Sequence, residues 1–264
     1  MITTKPKICL TTQFNKKYEK IGRLCLLSLK KYAQQYGYDV KVINEIVSNR
    51  PPFWNKVLIA KKLLGENYDF VFWMDADALF TRFDKNIADE IEPNKDLYIT
   101  SINDDDGTTL LTGVFLIRNS QWSKDFLNQV WSMQNYSKHL WHENAAFIDV
   151  LGLANQLPPI QKKLFPISAF QKKPSDKVKI IPYIWNEIRY RPERKDQLPI
   201  VRHYVRLDYG RLWYMSNDAY KTSLITKKQL FKNRLAYLKL KPLFDFIKYR
   251  LENNFGHLLE RFKK

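Results

Sequence analysis

Residues 68–80 read Tyr68-Asp69-Phe70-Val71-Phe72-Trp73-Met74-Asp75-Ala76-Asp77-Ala78-Leu79-Phe80. Five consecutive large apolar residues suit a strand covered on both faces, as in parallel sheets sandwiched between helices. The run then stops at two carboxylates. Ligands of open α/β sheets bind outside the carboxyl ends of the strands, which is where such a strand delivers Asp75 and Asp77. Residues two apart on an extended chain share a side, so both carboxylates are expected to face one ion. Hard oxygen ligands suit Mg2+ or Mn2+, which keep open positions for phosphate oxygens. Two solvated loop acids are the plainer alternative, but charge set directly after an apolar run is costly unless it is used.

Working outward, strand-like and helix-like segments alternate. Pro6–Thr12 reads as a first strand, and Lys17–Tyr36 as a helix with apolar residues at Ile21, Leu24, Leu27 and Tyr32, closed by Gly37. Tyr38–Ile43 is a second strand and Asn55–Leu64 a second helix. The alternation predicts an α/β fold with a mainly parallel central sheet flanked by helices. Further strands are expected at Leu97–Ile102, Gly113–Ile117 and Leu198–Val205, and helices at Gln121–Met133 and Glu143–Leu151. Residues 152–200 are richer in proline and irregular. From about Lys221 the chain reads as basic amphipathic helix, which divides it into a catalytic domain, 1–215, and a basic helical tail, 216–264.

The 264 residues carry a formal charge of +17, and residues 227–264 hold 11 Lys or Arg against 3 Asp or Glu. Such a surplus implies anionic partners: nucleic acid, anionic lipid or a phosphorylated substrate. Leu230, Phe231, Leu235, Leu238 and Leu240, interleaved with Lys and Arg, suit a helix in an anionic membrane interface. The same stripe would equally suit packing on the catalytic domain. Cys9 and Cys25 form no disulfide framework and no zinc spacing, and buried free thiols are expected. No segment matches a secretory signal or the roughly 18–20 apolar residues of a membrane span. A soluble or peripheral cytoplasmic protein is the expectation.

Three blocks carry a family resemblance. Trp54-Asn55-Lys56-Val57-Leu58 followed by Tyr68–Leu79, then Thr112-Gly113-Val114-Phe115-Leu116-Ile117-Arg118-Asn119-Ser120-Gln121-Trp122-Ser123, then Ile200-Val201-Arg202-His203-Tyr204, resemble glycosyltransferase family 34 over roughly residues 6–210. That group transfers galactose, mannose or xylose on a GT-A fold. The resemblance implies that Asp75, Ala76 and Asp77 form the metal and diphosphate motif and that His203 completes a Mn2+ or Mg2+ site. It places Lys56 near the nucleotide, Gly113 at the bend where the donor sugar lies, and Thr11, Thr12 and Gln13 where the nucleoside is received. It further implies a nucleotide-sugar donor, UDP-sugar before GDP-sugar, a glycan or glycolipid acceptor, and retention of anomeric configuration. One departure stands out. The family's acidic pair followed by Gln corresponds here to His142, Glu143 and Asn144, of which Glu143 and Asn144 are expected to act near the anomeric carbon.

Two rivals stay open. An Asp-x-Asp after an apolar strand also occurs in phosphohydrolases of the haloacid dehalogenase type, with Asp75 as nucleophile and Asp77 as acid. The interleaved aromatic and basic residues of Tyr183–Arg194 could serve a nucleic-acid-binding protein, although no named binding motif accompanies them.

Overall fold

The apolar run forms a fully buried strand, Phe70–Met74. The computed structural model describes residues 5–43, 48, 50–104, 107–165, 175–193, 196–207 and 210–238, and the run is β3 of a six-stranded sheet in it. Its companions are β1 (Ile8–Thr12), β2 (Asp39–Val42), β5 (Leu97–Asp104), β6 (Gly107–Arg118) and β7 (Val178–Ile180), in the order β2-β1-β3-β6-β5-β7. β1 runs parallel to β2 and β3, and β5 parallel to β7, whereas β6 is antiparallel to both β3 and β5. The sheet is thus mixed. Only residues 105 and 106 separate β5 from β6, and so short a connection cannot join parallel strands. β6 also begins six positions before the expected Gly113, because its early residues continue the ladder with β5 past a register shift at Ile99/Thr100.

Strand alternation sorts the apolar residues onto two faces. Val71, Trp73, Phe115 and Ile117 join the core beneath α2 (Asn55–Leu64), α3 (Gln121–Ser132) and α4 (His142–Val150). Phe70, Phe72, Met74, Val114 and Leu116 pack on the other face with Cys25, Leu29 and Tyr32 of α1 (Glu19–Tyr36). Gly37 ends α1 at φ +64°, the left-handed cap that glycine adopts without a Cβ penalty. The short α5 (Pro159–Lys162) lies in the irregular region. Both cysteines are free and buried, and burial pushes the Cys9 thiol up to about 11.

A second, small sheet forms around the strand expected at Leu198–Val205. β4 (Ala78–Phe80), β9 (Val201–His203) and β8 (Glu187–Ile188) associate in the order β4-β9-β8. β4 pairs antiparallel with β9, placing Ala78 opposite His203, and β8 pairs parallel with β9. Leu79 and Tyr204 then pack with Leu24 of α1 and with Leu212, Met215 and Ala219 of α6 (Arg211–Lys221). The expected boundary at residue 215 therefore falls inside a helix whose buried side contains Met215, Ser216 and Ala219. The rest of the expected tail is helical over 227–238, and residues 239–264 lie outside the described part. No helix among the described residues is long and apolar enough to cross a membrane. In the segment 183–194, Trp185 is fully buried and donates to Glu90 Oε1 at 3.0 Å.

A buried ionic cluster ties the small sheet to α6. Arg202 of β9 lies 3.3 Å from both Glu187 Oε1 and Asp218 Oδ2, and the Tyr204 hydroxyl donates to Asp218 Oδ2 at 2.7 Å. Removing one member of a buried pair leaves an uncompensated charge, so Asp218→Ala is expected to cost about 3 kcal/mol, read as a lowered melting temperature in thermal unfolding.

Candidate active site

Asp75 and Asp77 emerge where β3 leaves the sheet, but not on an extended chain. The Asp75 N–H donates to the Gly113 carbonyl at 2.8 Å, and the Ala78 N–H donates to the Asp75 carbonyl at 2.9 Å, so Asp75–Ala78 is a turn leading into β4. The extended geometry expected for the pair is corrected in this respect. The turn and the β4–β9 ladder together bring His203 to the carboxylates. His203 Nε2 lies 3.3 Å from Asp77 Oδ1 and 4.0 Å from Asp75 Oδ2, and the Tyr204 N–H donates to the Asp77 carbonyl at 2.9 Å. One ligand atom from each of Asp75, Asp77 and His203 lies within 4.8 Å of the others. Two carboxylate oxygens and an imidazole nitrogen form a donor set that fits Mn2+ or Mg2+.

Asn186 orients the imidazole. The Asn186 amide donates to the Leu111 carbonyl at 3.1 Å, which turns Oδ1 toward His203 Nδ1 at 3.1 Å. When Nδ1–H donates to that oxygen, Nε2, the nitrogen that faces the carboxylates, is the one that can offer its lone pair to a cation. Asn186 escaped the sequence reading because it lies 17 residues before His203 in a proline-rich stretch without periodicity. Gly113 belongs to the same assembly. A Cβ at this position would lie 2.2 Å from His203 Cε1, so the missing side chain makes room for the imidazole. Gly113 also lines the polar cleft, on the side where the donor sugar is expected.

Charge compensation organises the remainder. Lys56, only 3% exposed, places its ammonium 3.0 Å from Asp75 Oδ1 and 2.8 Å from Glu143 Oε1, and donates to the Thr112 carbonyl at 3.2 Å. Burial opposes its charge, but the two carboxylates outweigh burial and hold the ammonium above its ordinary range. Its charge is therefore committed to these two acids. Burial raises the Glu143 carboxyl, while Lys56 pulls it down. Asp77 loses hydration by burial, yet His203 and Arg211 keep it below the usual carboxylate range, with Arg211 Nε 3.2 Å from Oδ2. Trp73 donates to Asp75 Oδ1 at 2.7 Å. Neither Arg211 nor Trp73 was singled out in the sequence as a partner of the two acids.

Two clefts meet at this cluster. One, of about 370 Å3, is mainly apolar and is lined by Phe14, Tyr18, Phe53 and Trp73 together with Asp75 and Asp77. The other, of about 310 Å3, is more polar and is lined by Glu143, Asn144, Trp141, Tyr190, Arg191 and Arg206. Lys56, Asp75 and His203 border both. Of the three residues expected to receive the nucleoside, Gln13 lines the first cleft, whereas Thr11 and Thr12 are fully buried and do not border it. Asn144 donates to the Leu110 carbonyl at 3.2 Å, and its buried Oδ1 has no partner among the described residues. His142, which stands in the departed acidic position, adopts φ +45° and stacks on Phe53 with ring centroids 4.7 Å apart. It thereby supports a wall of the apolar cleft. Arg206 follows β9 at φ +59°, a sparsely populated conformation for a side-chain-bearing residue.

A profile of the nucleotide-diphospho-sugar transferase family matches residues 47–186, more than half of the chain. Galactomannan galactosyltransferase 1 of Cyamopsis tetragonoloba is 30% identical over 141 residues, 48% of this chain and 32% of that protein. Xyloglucan 6-xylosyltransferase 1 of Arabidopsis thaliana is 36% identical over 83 residues, 29% of this chain and 18% of that protein. The matched segments thus span less than a third of the length of these relatives. Among solved structures, a glycosyltransferase involved in glycosylation of the major capsid of PBCV-1 superposes with a TM-score of 0.60 at 14% identity, covering 80% of this chain and 99% of that one. The glycosyltransferase GlyE of Streptococcus pneumoniae TIGR4 gives 0.55 at 12% identity, covering 88% and 64%. The fold is accordingly of the GT-A type.

Asn186→Ala removes the oxygen that orients His203 and is expected to weaken Mn2+ binding by about 10- to 100-fold, measured by titration calorimetry. Lys56→Ala leaves Glu143 buried without a counter-charge and is expected to cost about 3 kcal/mol at neutral pH. Because the folded-state Glu143 carboxyl then rises further above its unfolded value, part of that loss returns as pH falls. Thermal unfolding of the variant across a pH series checks the sign.

Proposed function

The chain belongs to the nucleotide-diphospho-sugar transferase family, and from that premise we propose that it is a metal-dependent glycosyltransferase of the family 34 kind. It would move a hexose or pentose from a nucleotide-sugar, UDP-sugar before GDP-sugar, to a glycan or glycolipid acceptor with retention of configuration. The observation that carries the reading is the carboxylate–imidazole cluster at the junction of two unlike clefts. Membership of this family displaces the phosphohydrolase and nucleic-acid alternatives.

The division of labour follows from the linings. The apolar cleft, with Phe14, Tyr18 and Phe53, suits a base and ribose, and the polar cleft suits the donor sugar and the acceptor. A divalent cation on Asp75, Asp77 and His203 would neutralise the charge that grows on the departing diphosphate. Lys56 holds Asp75 and Glu143 in place rather than meeting phosphate itself. Arg191 and Arg206 line the polar cleft and would add positive charge beside the donor. In the transfer, the acceptor oxygen bonds to the anomeric carbon as the bond from that carbon to the phosphate oxygen breaks. The acceptor proton passes to the departing phosphate, so no side chain has to serve as general base. Glu143, paired with Lys56, and Asn144, with an unpaired amide oxygen, would orient the donor sugar.

Melting temperatures measured with a panel of UDP- and GDP-sugars, with and without Mn2+, test the reading. The expected result is a stabilisation that needs both metal and one nucleotide and disappears in Asp77→Ala. Stabilisation by nucleotide-sugar that ignores metal would exclude the metal-dependent form. For Asn144→Ala the expectation is a fall in kcat of about 100-fold, and an unchanged kcat would remove Asn144 from the site.

A further inference from the structure

The helical stretch 227–238 has two unlike faces. Leu230 and Asn233, each 6% exposed, turn inward. Asn233 donates to Ser216 Oγ at 3.0 Å, Arg234 donates to Asn217 Oδ1 at 2.6 Å, and the Tyr237 ring lies 5.1 Å from that of Trp213. This face is bolted to α6. Phe231, Leu235 and Leu238, spaced by four and three residues, are 64%, 42% and 49% exposed. At about 100° per residue they fall within an arc of about 60°. Lys227 and Lys228 border that arc on its two sides, Lys232 lies just beyond, and all three are exposed. Residues 219–238 include Lys221, Lys227, Lys228, Lys232 and Arg234 and no Asp or Glu.

We propose that this face docks on an anionic lipid surface, with Phe231, Leu235 and Leu238 entering the headgroup boundary and the flanking lysines meeting lipid phosphates. Charge complementarity selects that occupant. A second copy related by a two-fold axis would set the same lysines against each other. Nucleic acid would answer the lysines but gives the three apolar side chains no hydrocarbon to enter. Lipid answers both. Domain packing and membrane contact are thus not alternatives for this helix, since one face does each. The inference stands apart from the proposed chemistry, because no residue of the two clefts takes part.

The full-length chain is co-sedimented with vesicles of phosphatidylcholine alone and of phosphatidylcholine with phosphatidylglycerol. The chain is expected to follow the anionic vesicles at low salt and to be released as salt is raised. The triple variant Phe231→Ser, Leu235→Ser, Leu238→Ser is expected to partition about tenfold less, with its melting temperature unchanged. The double variant Lys228→Gln, Lys232→Gln keeps the apolar arc and is expected to lose preference for the anionic vesicles. Equal sedimentation of native chain and triple variant, or none by the native chain, overturns the proposal. So does a native dimer that the triple variant converts to monomer, because a second copy then covers the face. Vesicle binding without any sugar-nucleotide stabilisation would count against the proposed function alone.

Discussion

Two carboxylates placed at the edge of a sheet buried on both faces demand compensation, and much of the site is the answer to that demand. Asp75 receives Lys56 and the Trp73 indole, while Asp77 receives His203 and Arg211. These partners come from α2, β3, β9 and α6, so neutralising one tripeptide draws together elements from both sides of the sheet. The geometry that could hold a divalent cation is a product of the same convergence. An isolated carboxylate in this position would be costly, whereas a cluster of fixed counter-charges makes it stable and leaves ligand atoms facing one point.

The small sheet is the device that makes the convergence accurate. His203 is set opposite Ala78 by the β4–β9 register, and a slip of one residue would send its side chain to the other face. β9 is itself anchored through Arg202, between Glu187 of β8 and Asp218 of α6. Asn186 then orients the imidazole, and Gly113 leaves the room it occupies. A three-residue strand is thereby held by ionic, hydrogen-bonding and steric constraints at once. The helix behind α6 extends this framework outward, with its apolar arc and lysines on the side away from the contact.

Much of the sheet was legible because its residues are patterned by burial. The second helix was bounded at Asn55–Leu64, and β3 was evident from five apolar residues ending in acids. β4, β7 and β8 went unseen, since two or three residues carry no periodicity. β6 was found only in its second half, where both faces are apolar; its earlier part pairs with β5 through residues of mixed character such as Thr108 and Thr109. Of the site, Asp75, Asp77 and His203 were legible as a motif set. Lys56 was picked out as lying near the nucleotide, but its pairing with Glu143 joins positions 87 apart and leaves no trace in local sequence.

By itself the sequence determined the alternation of strands and helices, the strand that ends in acids, the order of the three motif blocks and the basic character of the C-terminal part. Each is a local property, set by side-chain polarity and spacing along a few residues. The tertiary structure alone decided that the acids sit on a turn, that His203 reaches them, that Asn186 and Arg211 hold the ligating groups, and that Lys56 is spent on two carboxylates. It also decided that Thr11 and Thr12 are buried beside the cleft rather than lining it. These outcomes depend on register and on contacts between distant segments, which exist only once the chain has closed on itself.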